Sequence, residues 1–369
     1  MVANLTTRLG QLTSSPAGGP YAGANKIING DMAIDQRNAG ASALVGVASP
    51  QYFVDRFGYQ GSVTSKLTAG QNYGGVTPPA GFVYYLGAKV TTAYATGAGD
   101  YFSLQQKIEG LNCTDLNWGT ANAKAVTLSF YVYSSVTGTF GGVFQNSASN
   151  RSYPFTYTIS VASTWELKTI NVAGDTSGTW LTTSGIGMEI AWGLGVGSTY
   201  SGTAGAWAAA NYISATGATN IINTLNATFY VTGVKLEVGS IATPFVPDNY
   251  SDSLVKCQRY YCKTFPMATA PANNTGSSGS KTAIAWQTGS GGWYLYWTYP
   301  VTMRANPTTT AYCPGNASAT WSNFTTGSAT ATTNFYVNGE TGTAIYSGGS
   351  GINATADIGG VHMTASIEL

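Results

Sequence analysis

Ala125-Val126-Thr127-Leu128-Ser129-Phe130-Tyr131-Val132-Tyr133 is rich in β-branched and aromatic residues, and Gly138 follows it. Such residues fit a pleated, half-buried surface. The same texture recurs on both sides of this stretch. Tyr153-Pro154-Phe155-Thr156-Tyr157-Thr158-Ile159-Ser160-Val161 alternates aromatic or apolar residues with hydroxyl residues. Trp165 to Val172 alternates again and ends at Gly174-Asp175, a turn pair. Ile186 to Trp192 and Ala227 to Glu237 repeat the theme. Short strands at regular spacing, with almost no helical period, predict a β-sandwich. With this many strands the natural form is a jelly roll.

Composition narrows the function. The 369 residues hold 16 Lys+Arg and 15 Asp+Glu, a net charge of +1. Nucleic-acid binding needs many uncompensated cations, and a membrane-surface role needs a polybasic patch. The chain has neither, so no nucleic-acid partner and no membrane insertion are expected. Charged residues are only 8%, yet 43% hydrophobic and 12% aromatic content supplies a core and argues against disorder. No apolar run reaches 18 residues, and Met1 to Arg8 lacks the apolar core of a leader peptide. Cys113, Cys257, Cys262 and Cys313 are too few for a disulfide scaffold, and their spacing is not that of a zinc site. They read as reduced, partly buried thiols. No metal or cofactor is expected, and no motif supports a structural calcium.

Enzyme classes fall in turn. His362 is the one histidine, so every His-dependent mechanism would have to use it. In Val361-His362-Met363-Thr364-Ala365-Ser366-Ile367-Glu368-Leu369 the apolar residues alternate with polar ones, which predicts a half-buried strand with His362 on its polar face. No nucleophile elbow and no phosphate-cradling loop occurs. Glycoside hydrolysis survives, because it needs only two carboxylates. Glu109, Asp115, Glu166 and Glu189 qualify by type.

Outside the sandwich the chain changes character twice. Residues 1–24 form an arm: Leu5, Leu9 and Leu12 fall at helical spacing, before the linker Ser14-Ser15-Pro16-Ala17-Gly18-Gly19-Pro20. So short a helix is marginal alone, so the leucines are expected to dock on a partner. Residues 25–248 are the sandwich. Residues 249–265 hold the clearest helical run, with Asn249 placed to cap it and Pro266 to stop it. Leu254, Gln258, Tyr261 and Phe265 have the 4-3-4 spacing of a coiled-coil seam, so this segment reads either as a trimer neck or as a helix packed on its own domain. Residues 266–369 return to β. There Trp293, Leu295, Trp297 and Tyr299 share one strand face, and Tyr294 and Tyr296 the other. The larger row is expected inside, the two tyrosines outside.

Asn25-Lys26-Ile27-Ile28-Asn29-Gly30-Asp31-Met32-Ala33-Ile34-Asp35-Gln36-Arg37-Asn38 resembles the opening of many tailed-phage tail-fibre and related virion proteins. In these an N-x-x-x-N-G-D-F-x-I-x-Q-R run is followed by D-R-W. Asp55-Arg56-Phe57 stands for the latter, with Phe in place of Trp. Ser103 to Gly110, Phe229 to Phe245 (Lys235 where Gln is common), Cys257 to Tyr261, Met303 to Thr308 and Ala365 to Leu369 are similar to the family's later blocks. The resemblance implies a carbohydrate-binding-module-like jelly roll, a helical neck and a β-rich tip, as a homotrimer. Its Asn29-Gly30-Asp31 and Gln36-Arg37 motifs are expected to be structural, with Asp55 and Arg56 pairing or capping near the sandwich edge. The expected role is a non-enzymatic virion protein of tail-fibre or tail-spike type, made in the host cytoplasm and released by lysis. Its arm would dock on other virion proteins, and the particle would attach to host surface glycan. A capsid-decoration or head-fibre protein and a polysaccharide-degrading tail enzyme are the alternatives. The candidate glycan-stacking residues are Tyr294, Tyr296, Trp286 and Trp321.

Overall fold

A computed structural model of the chain describes residues 25–46, 51–285, 292–330, 334–348 and 357–369. The protein is nearly all β, built mainly from antiparallel sheets. It divides into two compact units. Of the described residues, one takes 25–33 and those within Ser42–Asp248; the other takes Ile34–Ala41 and those within Asn249–Glu368.

The first unit begins with β1 (Ala43–Leu44), β2 (Gln51–Val54), β3 (Phe57–Gly61), β4 (Leu67–Gln71), β5 (Leu86–Val90) and β6 (Tyr101–Glu109). It continues with β7 (Val126–Ser134), β8 (Gly138–Gln145), β9 (Ser152–Ile159), β10 (Glu166–Val172) and β11 (Ile186–Val196). β12 (Ser201–Gly202), β13 (Ser214–Ala215) and β14 (Thr228–Val238) complete it. Two six-stranded sheets result, ordered β1-β4-β5-β14-β7-β10 and β2-β3-β6-β11-β8-β9. The chain passes repeatedly from one sheet to the other, as in a jelly roll, with β2–β3, β4–β5 and β8–β9 as antiparallel neighbours within a sheet. The stretches read as strands from sequence are β7, β9, β10, β11 and β14.

β7 shows what sets the layer. Val126, Leu128, Phe130 and Val132 are fully buried in the core between the sheets. Phe130 meets Trp192 at 5.6 Å and Tyr157 at 5.1 Å, both edge to face. Burying each such side chain contributes about 1.5–3 kcal/mol.

The segment before β1 is sewn to the first unit by amides. Asn25 Nδ2 donates to Val234 O at 2.9 Å, and its Oδ1 accepts the Leu236 N–H at 2.9 Å. Gln106 bonds both backbone groups of Ile28, each at 2.9 Å. A Cβ on Gly30 would stand 2.1 Å from Val234 O, so only glycine allows this approach. Asn29 donates to Asp55 O at 2.9 Å, and Arg56, at a positive φ of 71°, donates to Lys107 O at 2.6 Å.

Ile34–Ala41 belongs to the second unit, although the sequence reading places it in the sandwich. Gln36 Nε2 donates to Tyr261 O at 2.8 Å, Arg37 pairs with Glu368 at 2.9 Å, and its guanidinium lies 3.8 Å from the Tyr261 ring centroid. Asp35 holds the turn by accepting the Asn38 and Gly40 N–H groups.

The second unit continues with α1 (Tyr250–Gln258), β15 (Tyr261–Lys263), β16 (Lys281–Ile284), β17 (Gly292–Thr298) and β18 (Thr308–Tyr312). β19 (Trp321–Asn323), β20 (Ala329–Thr330), β21 (Asn334–Asn338), β22 (Gly342–Gly348) and β23 (Ile358–Ser366) follow. β23 is the spine, pairing with β15, β16, β18 and β19. β17, β22 and β21 form a separate three-stranded sheet.

Two expectations are corrected here. The helix ends at Gln258, so Leu254, Gln258, Tyr261 and Phe265 do not form one helical seam. Its buried residues are Ser253 and Cys257, and Tyr261 is already paired with Ser366 of β23. Strand pairing overrides the local helical period. Nor does His362 face solvent, because β23 is paired on both edges and buried on both faces. Its ring stacks on Phe265 at 4.0 Å and bonds Thr264 Oγ1 and Gly276 O, at 3.1 and 3.0 Å. Burial holds its pKa below the ordinary value. All four cysteines are buried and free, and burial pushes the Cys113 and Cys262 thiols up to about 12.

Candidate functional site

The sheet containing β6 turns one face to the core and the other outward. On β6, Phe102, Leu104 and Ile108 enter the core, and alternation sends Tyr101, Ser103, Gln105 and Lys107 to the opposite face. Register sets Gln60 of β3 beside Ser103. It sets Glu189, Ala191 and Gly193 of β11 beside Lys107, Gln105 and Ser103. Gln145 of β8 stands beside Glu189.

The chain between β11 and β14 lies across this face. It includes β12 and β13, which pair in parallel. Ser214 comes down onto two glycines: a Cβ at Gly141 or Gly193 would lie 2.2 or 2.9 Å from its Oγ. The glycine floor is what lets the crossing segment sit this low. Tyr200, Asn211 and Ile213 of that segment line a cleft of about 260 Å³ together with Gln60, Tyr101, Lys107, Gln145, Asn146 and Glu189.

The walls are cross-braced. The Tyr101 and Tyr200 rings meet edge to face at 5.3 Å. Gln145 Nε2 donates to Asn211 Oδ1 at 2.7 Å, and Gln60 Nε2 reaches Glu189 Oε1 at 3.5 Å. Burial raises the Glu189 carboxyl above its ordinary pKa, and the Lys107 charge offsets part of that rise. Ser103 Oγ and both polar atoms of the Gln105 amide are buried without a hydrogen bond. Buried polar groups are normally satisfied, so these stand out. The cleft offers amide donors and acceptors, an ammonium, a carboxylate and two phenol rings. That set suits a neutral ligand rich in hydroxyls.

The carboxylates proposed for hydrolysis are scattered. Glu189 is the carboxylate among the cleft-lining residues. Asp115 pairs with Lys26 at 2.6 Å, Glu166 pairs with Lys168 and accepts the Ser160 and Val161 N–H groups, and Glu109 is buried. Among the described residues no cluster of His, Cys, Asp or Glu could hold a metal ion, and no helix is long and apolar enough to cross a membrane.

Of the stacking candidates, Tyr294 and Tyr296 are 54% and 52% exposed. Trp321 is corrected: it is fully buried and stacks on Trp293 at 5.7 Å, part of the second unit's core. Trp286, and Leu5, Leu9 and Leu12 of the arm, lie outside the described residues. Reading the sequence missed the cleft, whose lining comes from separate strands and a crossing segment. One local trace was visible: the polar–apolar alternation from Tyr101 to Gln105. A second recess, about 440 Å³, lies on the other sheet of the sandwich. Phe82, Tyr131 and Phe245 line it, with the Phe82 ring 5.4 and 5.2 Å from the other two. Its walls are mainly apolar and offer few hydrogen-bonding groups.

No protein-family model and no curated protein matches the chain. Among solved structures it is similar to the enzymatically active domain of bacteriophage CBA120 tailspike protein 4, at 14% identity and TM-score 0.31, over 58% of this chain and 21% of that one. It is also similar to the family 11 carbohydrate-binding module of Clostridium thermocellum, at 11% identity and TM-score 0.27, over 55% and 98% of the two chains. The N-terminal cellulose-binding domain of Cellulomonas fimi β-1,4-glucanase C gives 16% identity and TM-score 0.21, over 53% and 99%.

Proposed function

We propose that the protein is a non-enzymatic, glycan-binding structural protein of a tailed-phage particle, and that the cleft on the β6 sheet holds the glycan. The observation that carries the binding role is the cleft's chemistry. Two tyrosines adjoin amides, and the buried Gln105 amide and Ser103 hydroxyl lie along the same strand face. A sugar presents apolar ring faces to aromatics and hydroxyls to amides. The placement in a virion is supported by the family resemblance of residues 25–38, 55–57, 103–110 and 229–245. Within the fold, Asn25, Asn29, Gln36 and Gln106 of these motifs bond backbone groups, a structural use of them. A homotrimer docked through residues 1–24 would multiply weak contacts.

Titration of the full chain with surface polysaccharide from a susceptible bacterium tests the cleft. Tyr101→Ala should weaken binding about tenfold, the scale of one lost aromatic contact. Unchanged affinity would overturn the assignment. Sedimentation at micromolar concentration tests the trimer, and a monomeric mass sinks it. Deleting residues 1–20 should leave folding intact and prevent incorporation into particles. A map of the whole particle separates a tail location from a capsid one. Chain shortening of the polysaccharide, abolished by Glu189→Gln, would instead favour the degrading enzyme.

A further inference from the structure

The second unit carries an aromatic surface that the cleft does not use. On the β17-β22-β21 sheet, Trp293, Leu295 and Trp297 are buried on one face, while Tyr294 and Tyr296 are exposed on the other. Register sets Tyr346 of β22 beside Tyr294, and Tyr336 of β21 lies 6.0 Å from Tyr346, ring to ring.

Two of these rings lie along the sheet. A Cβ on Gly342 would stand 2.7 Å from the Tyr296 hydroxyl and 2.8 Å from its Cζ. A Cβ on Gly292 would stand 2.6 Å from Tyr346 Cε2. Each glycine is diagonal to its tyrosine on the neighbouring strand, and its bare backbone is what lets the ring lie down. A ring lying down turns one broad face to the backbone and the other to solvent. The three strands contain no Lys, Arg, Asp or Glu.

From this geometry we infer that the sheet is a second glycan site, a platform on which a neutral polysaccharide chain lays the apolar faces of its pyranose rings. The face is too small for a second copy of the chain to hold by itself. Three strands spaced ~4.8 Å, with seven residues rising ~3.4 Å each, cover roughly 340 Å² a side. A standard interface buries about 800 Å² per partner, and the lower bound is about 500 Å². An uncharged face also gives nothing to an anionic polymer or a charged lipid surface. Broad, outward ring faces with free edges fit a stacked sugar, and the area spans a few sugar units.

The test uses the full chain against immobilised neutral polysaccharides: mixed-linkage glucan, galactan, mannan and xylan. At least one that the cleft variant Tyr101→Ala still binds should be bound about tenfold more weakly by Tyr296→Ala and by Tyr346→Ala. Tyr296→Phe keeps the ring face and should bind within about threefold of the parent. Tyr294→Ala, at a more exposed position than Tyr346, serves if Tyr346→Ala does not fold. The platform is overturned if no polysaccharide meets that pattern, or if Tyr296→Ala changes only the sedimenting mass. If Tyr101→Ala abolishes all binding, the platform fails and the cleft stands. If the tyrosine-face variants alone abolish it, the platform stands and the cleft fails.

Discussion

Glu189 shows how one residue couples the cleft to stability. Burial raises its pKa in the folded protein above the unfolded value near 4.5. Its neutral form is therefore favoured by folding, so its stabilisation is full below pH 4.5 and is lost as pH rises through the folded pKa. Glu189→Gln should then melt higher than the parent at pH 7, with the difference fading at pH 4, in paired thermal scans. A parent as stable as the variant at both pH values would refute the buried-carboxylate account. Trp321 tests the second unit. Because it is buried against Trp293, Trp321→Ala should cost ~3–5 kcal/mol in denaturant unfolding, against about 0.5 kcal/mol or less for the exposed Tyr296→Ala. Sequence alone separated Tyr296 from Trp293, because both lie on one strand and alternation is local. It could not separate Trp321 from a surface tryptophan, because the ring that covers it arrives from another strand.

At the scale of elements, Ile34–Ala41 and α1 teach the same lesson from opposite sides. The helix was legible at its start, where Asn249 and Asp252 stand, yet its end was misread. Tyr261, Cys262 and Lys263 are claimed by Ser366, Ala365 and Thr364 of β23, more than a hundred positions away. Likewise Ile34–Ala41 follows the segment bonded to β14 with no break in composition, but Gln36 and Arg37 find their partners in the second unit. A fragment of residues 249–369 therefore lacks a native element. It uncovers the Tyr261 ring, leaves its carbonyl without the Gln36 bond and leaves Glu368 without Arg37. Its melting transition should be broad or absent, and adding a peptide of residues 34–41 should sharpen it. A fragment that melts as sharply as the full chain would show the segment to be dispensable.

For the whole molecule, near-neutral charge sets a measurable expectation. With 16 cations against 15 anions the chain has no cation surplus to neutralise a polyanion, and a neutral glycan carries no condensed counterions to release. Glycan affinity should change by less than about twofold between 50 and 500 mM NaCl, whereas an electrostatic mode would weaken steeply. A steep salt dependence in the titration would point to an anionic ligand and away from stacking. The sequence by itself determined the all-β class, β7, β9, β10, β11 and β14 of the sandwich, the buried thiols and the outward side of β17, because period-two alternation and residue volume act within a few neighbouring positions. Only the tertiary structure decided where the helix stops, which unit owns Ile34–Ala41, that His362 is buried, and that Gln60, Tyr101, Lys107, Gln145, Glu189 and Tyr200 share one cleft. Those outcomes depend on strand pairing between distant segments, whose register is set by side-chain burial across whole sheets and cannot be read from any one short window of residues.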